Sequence, residues 1–277
     1  MPYHTYTPSP PLSGFVEVIW LYEGFAQAHA KERKLPDGSM GLVINLREDS
    51  FRVYDRRDPN RCETFRGCLL SGVQSEFIVI DTANQASLMG VHFKPGGGFP
   101  FFGMPASELY DVQVPLDALW GTTASELRAR LLEAETPEAR FVILERYLLA
   151  RAARPLVRHP AVSFALKEIQ SEPRHRAISD LVEQIGLSPR RFIQVFSEEV
   201  GLTPKLFCRV RRFQQVLHSL QHGTVNARQI DWADIASFCG YFDQAHFIRD
   251  FRAFSGLNPT AWFMLRGEHI NHVPLQD

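Results

Sequence analysis

Two stretches of the chain carry the same pattern 55 positions apart, and any fold must accommodate both. Asp243, Phe247, Ile248, Phe251, Gly256, Leu257 and Pro259 repeat Ser188, Phe192, Ile193, Phe196, Gly201, Leu202 and Pro204. Upstream of each capped turn the offset is 54, pairing Gly240 with Gly186, Ile235 with Leu181 and Trp232 with Ile178, so the second turn holds one extra residue. In the second copy Asp243 is an N-cap candidate, and Phe247, Phe251 and Phe254 fall at i, i+4 and i+7, one apolar helix stripe. Gln244, Ala245, His246, Arg249 and Arg252 lie on the other face. Alone, such a helix reads as an ordinary amphipathic surface helix. Repetition changes the reading: each copy spells a short apolar helix, a glycine-led turn, an N-cap and a second helix closed by Gly-Leu-x-Pro. The spacing predicts two helix-turn-helix units.

Between them, Leu206, Val210, Phe213, Val216, Leu217 and Leu220 keep helical spacing from Thr203 to about Gln221, predicting a linker helix of roughly 27 Å. Ahead of them, Thr123-Ala-Ser-Glu126 reads as a capping box, and Thr136-Pro137-Glu138 as an N-cap with proline at the first helical position. The second of these helices places Phe141, Leu144, Leu148 and Leu149 on one side and runs to about Ala153. The basic, proline-containing stretch Arg154 to Pro160 marks a boundary. One more helix, Ala161 to Glu172, is stopped by Pro173.

The first half has a different period. Phe15 to Tyr22, Gly41 to Leu46, Phe51 to Tyr54, Phe77 to Ile80 and Ser87 to Phe93 are short, rich in β-branched and aromatic residues, and separated by turn-forming Gly, Pro, Asp and Asn. They predict an antiparallel barrel or sandwich, an architecture whose mouth often holds one small ligand. Lys94-Pro-Gly-Gly-Gly98 ends the strand region; it lacks the spacing of a phosphate-binding loop and reads as a sharp turn. Phe99, Phe101 and Phe102 pack a short helical turn onto the sheets, and Ser107-Glu108-Leu109 starts another.

With 277 residues, 45% of them hydrophobic, the chain can bury a core in two domains. The net charge of −1 does not advertise a polyanionic partner, so any such reading rests on local charge placement. Cys62, Cys68, Cys208 and Cys239 show no CxxC spacing, the N-terminus has no secretory pattern, and no apolar run is long enough for a membrane span. These features read as a reduced cytoplasmic protein, with Cys208 and Cys239 in the core. Catalytic motifs are missing: there is no G-x-S-x-G elbow, no H-E-x-x-H and no Cys-His pair at a familiar spacing. Among the predicted strands only His92 is a histidine, with His29 in a loop, so a catalytic metal has no converging ligand set and no cofactor is expected.

The paired units do carry residue types suited to a task. Arg190, Arg191 and Gln194 project from one second helix, and Gln244, His246 and Arg249 from the other; arginine can fork onto guanine and glutamine can pair with adenine. Ser188 and Asp243 mark helix N-termini whose free N–H groups can meet phosphates, the carboxylate less well than the hydroxyl. Any single one of these arginines also reads as a solvated surface charge.

The run from Ile235 to Pro259, IASFCGYFDQAHFIRDFRAFSGLNP, resembles the C-terminal signature of AraC/XylS-family transcription regulators, and the resemblance extends back to roughly Pro160. It implies two helix-turn-helix units joined by one long helix and inserted into successive major grooves on one face of double-stranded DNA. By position the family's base readers fall on Arg190, Ile193 and Gln194, and on Gln244, Ala245, His246 and Arg249. Ile193 and Ala245 can offer only apolar contacts, and Val182 stands where the family usually has alanine. The N-terminal half is similar to the family's cupin-like sensor domains in a variant form, through Leu35-Pro-Asp-Gly38, Gly90 to Gly96 and Val114 to Gly121.

The expected fold is α+β: an N-terminal antiparallel barrel or sandwich over 1–121, a helical connector over 122–159, and an all-α DNA-binding domain over 160–277. The expected function is a non-enzymatic, DNA-binding transcription regulator. Ser188, Arg190, Arg191, Ile193, Gln194, Gln244, Ala245, His246, Arg249 and Arg252 form its DNA-binding face. A small-molecule effector, RNA polymerase and a second copy of the chain are further partners compatible with it. A barrel enzyme with a helical appendage and a protein-interaction module whose barrel is filled by its own aromatics stay open as alternatives.

Overall fold

The computed structural model describes residues 3–24, 30–82, 86–171, 178–222 and 230–275. Its first half is built from two antiparallel sheets. One has β2 (Val16–Glu23), β9 (Ser87–Phe93), β4 (Gly41–Asn45) and β7 (Cys68–Ser71) at its centre, with β1 (Tyr3–Tyr6) and β10 (Gln113–Pro115) at its edges. The other runs β11 (His272–Pro274), β3 (Lys31–Lys34), β8 (Ile78–Asp81), β5 (Phe51–Tyr54) and β6 (Cys62–Phe65). The five strands expected from sequence are present, with ends moved by no more than a residue or so. Strands also follow the glycine turn that was expected to end this region, because β10 returns to pair with β7, and β11 arrives from the far end of the chain to pair with β3.

One face of the first sheet is packed on the side where Tyr6, paired with Ile19, stacks against Phe141, and where Cys68, paired with Ile44, donates to the Ala124 carbonyl. Ile19, Leu21, Leu42, Ile44, Leu70, Met89, Val91 and Phe93 are all buried. Two 3-10 turns, Phe99–Phe101 and Ala106–Leu109, add to one end of this core. Phe93 meets Phe101 and Phe102 at ring separations of 5.6 and 5.8 Å, and the Trp120 indole donates to the Phe101 carbonyl at 3.0 Å.

The connector is α1 (Leu116–Trp120), α2 (Thr122–Glu133) and α3 (Pro137–Arg151). The capping box expected at Thr123–Glu126 is not formed. Gly121, at φ +60, turns α1 directly into α2, so the helix starts a residue early, with Thr123 inside it and no side-chain cap. At α3 the Thr136 hydroxyl accepts from the Ala139 N–H at 3.2 Å, as the Thr-Pro-Glu pattern requires. Phe141, Leu144 and Leu148 are buried, but Leu149, one residue further round the helix, is 41% exposed and off the stripe.

The basic stretch that follows is pinned down. Arg158 donates to the carbonyls of Pro95 and Gly14 at 2.7 and 3.2 Å and lies over the Phe15 ring, and this burial lowers its pKa from the ordinary guanidinium value. Then come α4 (Pro160–Ser171), α5 (Ile178–Ile185), α6 (Pro189–Val200), α7 (Pro204–His222), α8 (Trp232–Phe238), α9 (Gln244–Ser255) and α10 (Pro259–Leu265). The proline stop expected at Pro173 and the loop histidine His29 lie outside the described residues.

The two halves share one hydrophobic core. Helix α7 is buried on several sides. Phe207 packs against the Gly38 backbone of the first half, and Phe213 meets Phe251 and Phe254 of α9 at 5.2 Å. The Gln214 amide donates both to the Pro36 carbonyl at 2.7 Å and to the Asn271 side chain at 2.8 Å.

Candidate nucleic-acid interface

Each unit positions its second helix by the same local rules. At the start of α6 the Ser188 hydroxyl accepts from the Arg191 N–H at 3.3 Å, and at the start of α9 the Asp243 carboxylate accepts from the His246 N–H at 2.6 Å. Both helices end on left-handed glycines, Gly201 at φ +88 and Gly256 at φ +70, a conformation that costs a residue with a Cβ on the order of 1–2 kcal/mol. Phe192 and Phe196 are fully buried on α6, as are Phe247, Phe251 and Phe254 on α9. Burying these stripes turns the opposite faces outward.

At the start and on the outer face of α6, Ser188, Arg190, Arg191, Ile193 and Gln194 are all exposed, Ile193 at 44%. The Gln194 amide donates to the Glu198 carboxylate one turn on at 2.9 Å, so it must leave that partner to reach a base edge. On α9, Gln244, Ala245, Arg249 and Arg252 are exposed, while His246 is half-buried. Among the described residues no carboxylate pairs with Arg190, Arg191, Arg249 or Arg252, which leaves their forks available to an external anion.

The extra residue in the second turn has a visible result. Where the first unit has one partly buried Leu187 between its glycine and its N-cap, the second has Tyr241 turned into the core and Phe242 turned out, 92% exposed, beside the start of α9. Burial drives the Tyr241 phenol pKa far above its usual value. Phe242 stands where the offset between the two copies changes from 54 to 55, the one signal in the sequence that marks it.

A part-buried ion pair lies beneath α9. Asp250 is buried and held by both oxygens: Arg209 of α7 donates through Nη2 to Oδ1 at 2.7 Å and through Nε to Oδ2 at 3.2 Å. One turn along α7, Arg212 donates to the Gly240 carbonyl at 2.9 Å and lies over the Tyr241 ring. Two arginines of the linker helix thus clamp the turn and the second helix of the second unit.

Other chemistry finds less. Lys34, Asp37, Ser39, Ser71, Gln74 and His92 converge at one end of the sheets, with His92 Nε2 3.6 Å from Asp37, but the enclosed space is about 10 Å³, room for a single water. Among the described residues, no three His, Cys, Asp or Glu side chains converge as a metal-ligand set, and no helix is long and apolar enough to cross a membrane. Cys239 is buried, in the turn after α8 and not within a helix, and Cys208 is half-buried with its thiol pushed up to about 11 by burial.

Comparison with known proteins bears on both halves. Residues 181–264 match a family model described as a helix-turn-helix domain, and residues 4–115 match one described as a domain of unknown function (DUF6597). A search of curated protein sequences returned no significant match. Among solved structures, the chain is similar to ToxT from Vibrio cholerae O395, with 9% identity, a TM-score of 0.45, and 95% of this chain and 97% of that one covered. It is also similar to unsaturated fatty acid bound wild-type ToxT from Vibrio cholerae strain SCE256, with 10% identity, a TM-score of 0.45, and coverages of 89% and 93%.

Proposed function

We propose, on the premise that residues 181–264 are an AraC-type helix-turn-helix domain and so a DNA-binding module, that the protein is a transcription regulator reading two successive major grooves with α6 and α9. The observation that carries this is the duplicated capped helix, buried on one face and presenting Arg190, Arg191 and Gln194, then Gln244, His246 and Arg249, on the other. Ile193 and Ala245 supply apolar contacts of the kind a thymine methyl accepts. Ser188 marks a helix start able to meet a phosphate, and Arg252 adds charge one turn beyond Arg249. Helix α7, 19 residues long, spans about 28 Å, comparable with the roughly 34 Å between neighbouring major grooves on one face of a duplex.

Binding to a promoter fragment should be salt-dependent. Each basic side chain seated on a phosphate contributes about −0.9 to the slope of log K against log salt, so the slope should be clearly negative. A flat slope, or no binding at low salt, overturns the proposal.

In the same reading the first 121 residues form a sensor or dimerisation module, 122–159 a connector and 160–277 the DNA-binding domain, in a cytoplasmic protein that catalyses no reaction. Its influence on DNA binding runs through α7, because the turn at 35–38 contacts that helix directly. RNA polymerase and a second copy of the chain are the partners such a module serves. The space lined by Lys34 and Ile78 of one sheet and Ser71 and His92 of the other is only about 10 Å³, which favours a second reading of this half, as a protein-interaction module, over a ligand cavity ready to be occupied. A thermal-shift screen separates the two: a small molecule that raises Tm and changes DNA affinity supports the sensor, and a partner protein with the same effect supports the interaction module.

A further inference from the structure

We infer that Asp250, which faces away from any DNA bound at α9, is a positioning residue for base reading by the second unit, acting through His246 and anchored by Arg209 of the linker helix. The inference rests on the DNA-binding reading above and specifies how one reader is set. His246 is half-buried, unlike the other α9 readers, because its ring has two neighbours. Its Nε2 lies 3.7 Å from Asp250 Oδ2, and its ring stands edge-on to Tyr241 with centroids 5.3 Å apart. Each neighbour is held by α7: Asp250 by the two-pronged hydrogen bonding of Arg209, and Tyr241 by the overlying Arg212 guanidinium. Arg209 is itself fixed, lying over the Phe254 ring at 5.3 Å. A planar fork on a buried carboxylate fixes orientation as well as distance, and a reader held in place before binding loses less side-chain freedom when it meets a base.

The first unit lacks this device. The position matching His246 is Arg191, which is exposed, and the position matching Asp250 is Val195, an ordinary core residue. The two units therefore read DNA differently: the first with side chains that settle on contact, the second with a histidine set in advance from the helix that joins the units. A shift of α7 relative to α9 would be felt first at His246.

The test uses the full-length chain and a pool of duplexes with 26 randomised base pairs, with bound sequences read out position by position. Wild type, His246→Ala, Asp250→Asn, the double variant and Arg209→Lys are compared, each checked for a cooperative thermal transition. His246→Ala is expected to lose preference at one base pair of the second half-site. Asp250→Asn should lose preference at that same base pair by about fivefold or more, with affinity for a scrambled duplex unchanged within twofold, and the double variant should be no worse there than His246→Ala alone. Arg209→Lys keeps the charge but cannot span both oxygens, and relaxes the same position even if Asp250→Asn does not fold. Uniform weakening at all positions, additive losses, relaxation at a different base pair, or loss of folding in both the Asp250 and Arg209 variants makes the pair merely structural and overturns the inference. A wild-type protein that selects no motif instead overturns the DNA-binding reading itself.

Discussion

The end of each recognition helix rests on the first half of the chain, and paired glycine substitutions measure that contact. Gly186 and Gly201 both occupy the left-handed region, at φ +71 and +88, so an alanine at either position meets similar backbone strain of about 1–2 kcal/mol. Their surroundings differ. A Cβ on Gly186 meets nothing within 4 Å, whereas one on Gly201 stands 3.1 Å from the Ala106 carbonyl oxygen and 3.1 Å from a Val73 methyl, both in the first half. A backbone oxygen cannot swing aside as a side-chain tip can, so Gly201→Ala should cost roughly a further 1–2 kcal/mol by overpacking. At about 2–4 °C per kcal/mol for a chain of this size, the expected losses in Tm are about 2–8 °C for Gly186→Ala and about twice that, 4–16 °C, for Gly201→Ala. Thermal and urea unfolding followed by circular dichroism read both. Equal losses would show that the end of α6 does not bear on the first half, and the reasoning about shared packing would fail with it.

Arg249→Ala should weaken a specific site by about 1–3 kcal/mol and relax one base position, as electrophoretic shifts on base-substituted duplexes would show; uniform weakening would instead make Arg249 a phosphate contact. Among the thiols, Cys62 is exposed while burial pushes Cys68 up to about 12 and Cys208 up to about 11 and encloses Cys239. Native protein at pH 8 should therefore show one fast thiol toward an aromatic disulfide reagent and four after denaturation. Glu199 accepts from the His159 N–H at 2.9 Å, yet burial raises its carboxyl above the ordinary value, the hydrogen bond and nearby Arg158 opposing. A raised folded-state pKa favours the folded chain at acidic pH and is lost as pH rises through it, so Glu199→Gln should gain stability relative to wild type at pH 7.5 and none at pH 4; the opposite order in urea midpoints would refute this.

The helical half was readable from sequence because its signals are local. Ser188, Asp243, Gly201 and Gly256 act within four residues of themselves, and the aromatic stripes at i, i+4 and i+7 show their periodicity directly. The strands that escaped notice depend on partners far away. Lys31-Glu-Arg-Lys34 has no apolar alternation of its own, and it is a strand because it pairs with β8 on one side and β11 on the other, where Glu32 also meets His272, 240 positions later, at 2.6 Å. Pro274 and Val273 carry no strand pattern of their own over three residues; β3 supplies the ladder. The site divides in the same way. The exposed readers follow from helix geometry, but Arg209 and Asp250 lie 41 positions apart, and no periodicity within either helix links them. Gln194 and Glu198, one turn apart, were a readable pair that reader assignment by position passes over.

The last strand also decides whether the DNA-binding half can act as a separate module. β11 lies after both helix-turn-helix units yet completes the sheet of the first half, with Leu35 N–H donating to the Asn271 carbonyl at 2.8 Å and Leu275 N–H to the Lys31 carbonyl at 3.0 Å. Gln214 of α7 ties the same tail to the turn at Pro36, so the linker helix, the tail and the sheet edge form one packed unit. Val273 is fully buried there. Val273→Ala removes two methyl groups and leaves their cavity, a loss of about 2 kcal/mol. Because α7 packs on both halves, the loss should lower a single cooperative urea transition as a whole, with fluorescence and circular dichroism moving together. Two transitions, of which the substitution shifts one, would mean that the halves fold independently and that β11 is only an edge contact. Signals from the first half would then reach α9 by some route other than the helix that holds Asp250.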